Sequence, residues 1–336
     1  LQVMLDPADC GPATISLSQD VQGEAFDYPE IFFEEKIHII RRIHPDPRQL
    51  NEAAEQLKLS KQPIIIAGGG ILYSEAEKEL SDFAKKHNIP VTPTVMGIGC
   101  MTKDDPYYIG AIGCLGEGSS NSLSKDTDLA LAVGTKLGDF TTGSWSNFQN
   151  EDFKLVSINT ARFDVTKHLA TPVISDAKIG LLELSKALGD WRAPNNWYER
   201  SIDERKKWDS YVEKQSGPTN QELPSYAHAV GAVYRNADPS DIVVTAAGGL
   251  VGEVVQIWKP KELNTFETEW GFSCMGYEIS GALGIKMAKP DQDVIVFVGD
   301  GSYLLQNSDI YSSVIYDKKL IIVVCDNGGH MVINRL

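Results

Sequence analysis

Runs of consecutive apolar residues that end in glycine constrain this chain more than any other feature. Pro63-Ile64-Ile65-Ile66-Ala67 leads into Gly68-Gly69-Gly70, residues 129–133 (Leu-Ala-Leu-Ala-Val) lead into Gly134, and Val294-Ile295-Val296-Phe297-Val298 leads into Gly299-Asp300-Gly301. A strand that is apolar at every position is buried on both faces, which is the condition of a parallel sheet covered by helices on either side. Between the runs, apolar residues recur at helical spacing, as at Leu50, Ala53, Ala54 and Leu57. The first unit reads as strands at 63–67, 89–92, 129–133 and 154–158 with helices at 48–57, 74–86 and 178–187. The second reads as strands at 241–245, 294–298 and 320–324 with helices at 226–235, 276–287 and 302–316. The fold class is therefore α/β, with two doubly wound parallel-sheet domains, and 336 residues suffice for both.

Outside these units, residues 11–17 read as one short strand and 30–47, with Pro45 and Pro47, as a linker. Residues 189–222 hold three tryptophans and many charges without a strand pattern, an inter-domain helix or linker. The sequence opens at Leu1 without Met and stops after a Gly-Gly turn, so it is expected to be an internal piece of a longer protein. Lys plus Arg total 31 against 46 Asp plus Glu, a net charge of −15 that repels phosphate backbones and anionic lipid. Nucleic acid and membranes are accordingly not expected partners. The five cysteines (Cys10, Cys100, Cys114, Cys274 and Cys325) show no metal-ligand or disulfide spacing and are expected to be buried thiols. No apolar run approaches about 18 residues and no leader pattern opens the chain, so the expected location is cytoplasmic.

The chemistry concentrates in the last unit. Strand, helix and strand within about 30 residues form a crossover that brings both strand tips to one edge of the sheet, where α/β folds place ligands. Asp300 lies just beyond the first tip and Asn327, 27 residues on, just beyond the second. Two side-chain oxygens and a backbone carbonyl at Gly329 form a hard-oxygen set suited to Mg²⁺ that shares its shell with phosphates. Gly299 and Gly301 permit close approach of a phosphate, and Ser302 opens a helix. Either turn alone is ordinary punctuation; the pairing across a crossover is specific.

With those residues in place, the chain resembles the thiamine diphosphate (ThDP) enzymes of the acetolactate synthase and pyruvate oxidase group. Ser273-Cys274-Met275-Gly276 resembles the segment before the Gly-Asp-Gly signature, in which the Met packs under the cofactor. Thr245-Ala246-Ala247-Gly248-Gly249 resembles the loop at the diphosphate end, so Gly248, Gly249, Met275, Gly299, Gly301 and Ser302 are implied to bind cofactor, and Asp300, Asn327 and Gly329 to bind Mg²⁺. The implied layout is the tail of a pyrimidine-binding domain at 1–29, a linker at 30–47, a central Rossmann-like domain at 48–188, an inter-domain segment at 189–222 and the diphosphate-binding domain at 223–336. The family's catalytic glutamate lies in the pyrimidine-binding domain, upstream of Leu1, so the resemblance implies no catalytic residue here. Residues 139–144, 246–250 and 269–278 are similar to the inositol-catabolic branch of the group, which hydrolyses a cyclic polyol 1,2-dione to 5-deoxyglucuronate. Tyr277-Glu278-Ile279 stands where acetolactate synthases carry Gly-Leu-Pro. The resemblance also implies a homodimer or homotetramer with its active site between subunits. An acetolactate synthase-like lyase acting on pyruvate and a non-catalytic nucleotide-binding module are the alternatives; against the latter, Tyr73 replaces the third glycine of a GxGxxG pattern. His330, Glu267, Glu269, Glu278 and Tyr277 are left outside the candidate site.

Overall fold

A computed structural model describes residues 2–335 and contains two wholly parallel sheets. The first has the order β2-β1-β3-β4-β5, with β1 Pro63–Ala67, β2 Val91–Pro93, β3 Leu129–Val133, β4 Lys154–Asn159 and β5 Thr171–Ile174. The second has the order β7-β6-β8-β9, with β6 Ile242–Thr245, β7 Phe266–Thr268, β8 Val294–Gly299 and β9 Ile321–Cys325. Alternate residues of the isoleucine run feed two cores. Ile65 and Ala67 join Leu131, Val133 and Val156 on one face, and Ile64 and Ile66 join Ala130, Ala132 and Leu155 on the other. The second sheet divides likewise: Val243, Ile295 and Phe297 face one way, Val244, Val296 and Val298 the other.

Local chemistry sets the helix starts. Pro47 is the first residue of helix Pro47–Leu59, where its missing N–H costs nothing, and the Asp46 carboxylate accepts from the N–H groups of Arg48 and Gln49. Asp176 caps helix Ala177–Leu188 in the same way and also pairs with Arg42 at 2.9 Å, which ties the preceding segment to the first unit.

Several expectations need correction. Residues 11–17 form no strand; Ile15 and Leu17 are exposed and no ladder among the described residues includes them, and an extended segment without a neighbour has no partner for its backbone. The helix expected at 74–86 forms but starts later, as Glu77–His87, because Glu75 at φ +52° interrupts the chain after a separate turn of helix, Gly70–Tyr73. That expected at 302–316 divides into Asp300–Leu305 and Ser308–Ile315. Helix Leu250–Ile257 and the three-residue strand β7 were not anticipated. Residues 189–222 contain a 22-residue helix, Asn195–Ser216. Of the five cysteines, all unpaired, only Cys100 and Cys325 are buried. Among the described residues no helix is long and apolar enough to cross a membrane.

That 22-residue helix joins the two units. Its Trp197 indole donates to the Pro63 carbonyl at 2.8 Å, beneath β1. Farther along, Asp209 pairs with Lys259 of the second unit, and Lys259 also reaches the Glu117 carboxylate of the first at 3.1 Å. Glu117 is 1% exposed and further accepts from the Ala111 N–H and the Tyr108 hydroxyl. Burial pushes its carboxyl up, and the Lys259 ammonium opposes that shift. Lys259→Ala is expected to leave this carboxylate buried without its cation and to destabilise the fold by about 3 kcal/mol, read from the urea midpoint. Lys259→Met combined with Glu117→Gln is expected to recover most of the loss.

Candidate functional site

In the second sheet the chain leaves β6 outward to β7 on one side and returns to β8 on the other. The crevice at the carboxyl ends of β6 and β8 is the topological switch point, where open α/β sheets hold ligands. Gly299 and Cys325 are in register, so the turns after β8 and β9 leave the sheet side by side. Asp300 Oδ1 accepts from the backbone N–H of Asn327 at 3.5 Å, so the two candidate ligands lie at adjoining tips. The Asn327 side chain donates through Nδ2 to the Tyr226 hydroxyl, at the start of helix Tyr226–Asn236. That bond orients the amide and leaves its Oδ1 as the acceptor for a cation. Gly328 and Gly329, at φ +80° and +132°, make the turn that follows. Among the described residues no group of three or more His, Cys, Asp and Glu could hold a metal ion. A set of one carboxylate, one amide oxygen and one carbonyl therefore needs oxygens from its ligand, as Mg²⁺ does when it binds with phosphates.

Sequence reasoning passed over the residue that organises the site. Glu278, in the first turn of helix Tyr277–Ala288, is fully buried. Its Oε1 accepts from the Ala247 N–H at 3.3 Å and its Oε2 from the Gly276 N–H at 2.9 Å, and it also bonds the Ser302 side chain. One carboxylate thus joins the loop after β6, the turn that follows Met275 and the helix that begins at Asp300. Burial pushes its carboxyl above the usual range, opposed by its own N–H, those of Ala247 and Gly276, and Ser302. The available signal was a lone acidic residue in an otherwise apolar and small stretch, Tyr277-Glu278-Ile279-Ser280-Gly281-Ala282. Glu269 performs a local version of the same task. Its oxygens accept from Phe272 N–H at 2.8 Å and Cys274 N–H at 2.5 Å, fixing the turn that presents Met275 at the surface. Burial raises the Glu269 carboxyl, but these N–H groups outweigh it and the net shift is downward.

The loops leave room for a diphosphate. A Cβ built on Gly248, Gly249, Gly299, Gly328 or Gly329 would meet no atom within 4 Å. Positive φ explains Gly248, Gly328 and Gly329, but Gly249 at φ −70° and Gly299 at φ −76° have ordinary backbones. Neither conformation nor crowding within the chain calls for glycine there, and both positions leave open space that an external group could fill. At the same edge, the buried hydroxyls of Thr245 and Thr268, paired across β6 and β7, have no hydrogen-bond partner among the described residues. The residues present fit a diphosphate-bearing cofactor held through a hard cation.

The first sheet differs at its own switch point. A Cβ on Gly68 would lie 2.2 Å from the Gly134 carbonyl oxygen, and one on Gly70 2.6 Å from the Gly134 Cα. The glycine turn after β1 packs backbone to backbone on the end of β3. From the same unit, Phe140 reaches the second, meeting Trp270 edge to face with centroids 5.2 Å apart.

Residues 50–184 match the family model of the thiamine pyrophosphate enzyme central domain, and residues 246–336 that of the C-terminal TPP binding domain. Proteins named 3D-(3,5/4)-trihydroxycyclohexane-1,2-dione hydrolase are similar along the whole chain: 36% identical in Bacillus anthracis, 37% in Geobacillus thermodenitrificans and 38% in Clostridium tetani. Each alignment covers 100% of this chain and 56% of the relative, so the chain spans about half the length of the curated relatives it matches. The role of Glu278 is open to direct test. Glu278→Ala is expected to strand two backbone N–H groups and a hydroxyl and to cost about 2–4 kcal/mol in chemical denaturation. Because folding raises this carboxyl, its stabilising share is fullest below the usual carboxylate range and declines as pH rises through the raised value. Wild type is therefore expected to lose ground to Glu278→Gln as the pH of the denaturation series rises.

Proposed function

This chain belongs to the thiamine pyrophosphate enzymes, and on that footing we propose that the protein containing it is a ThDP- and Mg²⁺-dependent hydrolase of a cyclic polyol 1,2-dione. The proposed substrate is the trihydroxycyclohexane-1,2-dione in the relatives' name, opened to 5-deoxyglucuronate in inositol catabolism. The observation that carries the reading is the adjacency of Asp300 and Asn327 at neighbouring strand tips. Similarity to the named hydrolases along the whole chain supports the choice of substrate.

When bound, ThDP would supply the carbon nucleophile needed to cleave a bond between two carbonyl carbons. The chain's own residues hold and orient. Asp300, the Asn327 amide oxygen and the Gly329 carbonyl would bind Mg²⁺, with Tyr226 fixing the amide. Gly299, Gly301 and Ser302 would receive the diphosphate at the start of helix Asp300–Leu305, opposite Gly248 and Gly249. Met275, exposed on the turn that Glu269 holds, would offer its thioether as an apolar support for the rings. None of these groups moves a proton in this scheme. The proposed layout assigns residues 1–29 to a pyrimidine-binding domain, 30–47 to a linker, 48–188 to the central domain, 189–222 to the inter-domain segment and 223–336 to the diphosphate-binding domain. A cytoplasmic homodimer or homotetramer with the site between subunits completes the proposal.

The full-length protein is expected to consume the dione only with both ThDP and Mg²⁺ present. Asp300→Ala is expected to weaken Mg²⁺-dependent ThDP binding more than about a hundredfold by calorimetry, since loss of groups that merely orient ligands already costs ten- to a hundredfold. Unchanged affinity would remove the site assignment. Acetolactate formed from pyruvate, with the dione untouched, would transfer the protein to the lyase reading.

A further inference from the structure

The loops around the candidate site are short of positive charge. Residues 245–249, 267–278, 299–306 and 325–333 contain no Lys or Arg, while Glu267, Glu269, Glu278, Asp300 and Asp326 fall within them. A diphosphate entering there meets a surface whose fixed charges oppose it, in a chain already at −15. Mg²⁺ offsets part of that, and backbone N–H groups add donors. Several acceptors are already engaged: Glu278 and Glu269 by the N–H groups described above, and Asp326 by the Gly328 N–H at 2.9 Å. Among side chains of these four segments, one nitrogen base remains, the imidazole of His330.

The structure puts that ring against the phosphate-binding turn. A Cβ built on Gly301 would lie 2.6 Å from both His330 Nδ1 and Cε1, so the edge of the imidazole rests on the Gly301 backbone. The Gly328-Gly329 turn makes this possible by carrying the chain from the tip of β9 back over the tip of β8. His330 is exposed, and no hydrogen bond engages its side chain among the described residues. A donor-bearing ring, unpaired and seated between Asp300 and Ser302, has little to contribute to stability and is well placed for an anion.

We propose that His330 is a cofactor-binding residue, a side-chain hydrogen-bond donor to the diphosphate; this rests on the ThDP reading of the site. An imidazole donates from a ring nitrogen whether neutral or charged, so the proposal requires no change of protonation. It also gives a reason for glycine at 301, since any larger residue would push the ring off the turn.

Calorimetry on the full-length protein with Mg²⁺, using ThDP and unphosphorylated thiamine as paired probes, provides the test. His330→Ala is expected to weaken ThDP about ten- to a hundredfold, the range of one hydrogen bond to a charged group, and to leave thiamine unchanged. His330→Gln, which keeps a donor, is expected to recover part of the loss. An equal loss for both probes, or no loss for either, would overturn the assignment. Wild type that binds no ThDP would sink the cofactor reading and this proposal together, whereas wild type that binds ThDP and an unaffected His330→Ala would sink the proposal alone. An unchanged melting temperature in both variants is expected because the ring is exposed.

Discussion

The second unit is organised around a carboxylate that has no counter-ion among the described residues. Glu278 is fully buried, yet it is met by N–H groups from two loops and a side chain from a third segment. Taking such a group out of water is costly, and only its converging donors make the position tolerable. The return is geometric. The loop after β6, the turn after Met275 and the helix after β8 arise far apart in sequence, and a shared acceptor fixes their separations before any ligand arrives. An apolar residue there could fill the same volume, but it could not align three segments.

The architecture was legible because burial on both faces leaves a signature that needs no partner to be read. Ile64, Ile65 and Ile66 are apolar whichever way they point, and the structure places them alternately in two cores. Strand β7 escaped notice because three residues, one of them the exposed Glu267, carry no periodicity. Residues 11–17 misled in the opposite sense. Their composition suits a strand, but a strand exists only as one side of a ladder, and composition cannot say whether the other side is there.

The site divides along the same line. The adjacency of Asp300 and Asn327 was legible because a crossover fixes where two strand tips go, whatever lies between them. The placements of Glu278, His330 and Tyr226 were not legible because they depend on convergence: a carboxylate that reaches another loop, a ring that folds over a glycine, a hydroxyl that turns an amide. Each looks ordinary in its own stretch of sequence. Lys259 belongs with them, since its two carboxylate partners lie 50 and 142 positions away and only the folded chain assembles them.

The contact between the 68–70 turn and Gly134 has a mechanical outcome. Two backbones touching without side chains have nothing to repack, so the tips of β1 and β3 keep one spacing whatever surrounds them. The segment bearing Phe140 leaves β3 a few residues beyond that contact and so starts from a stationary base. When Phe140 meets Trp270, the carboxyl edge of the second sheet is bordered by a rigid abutment that the first unit supplies.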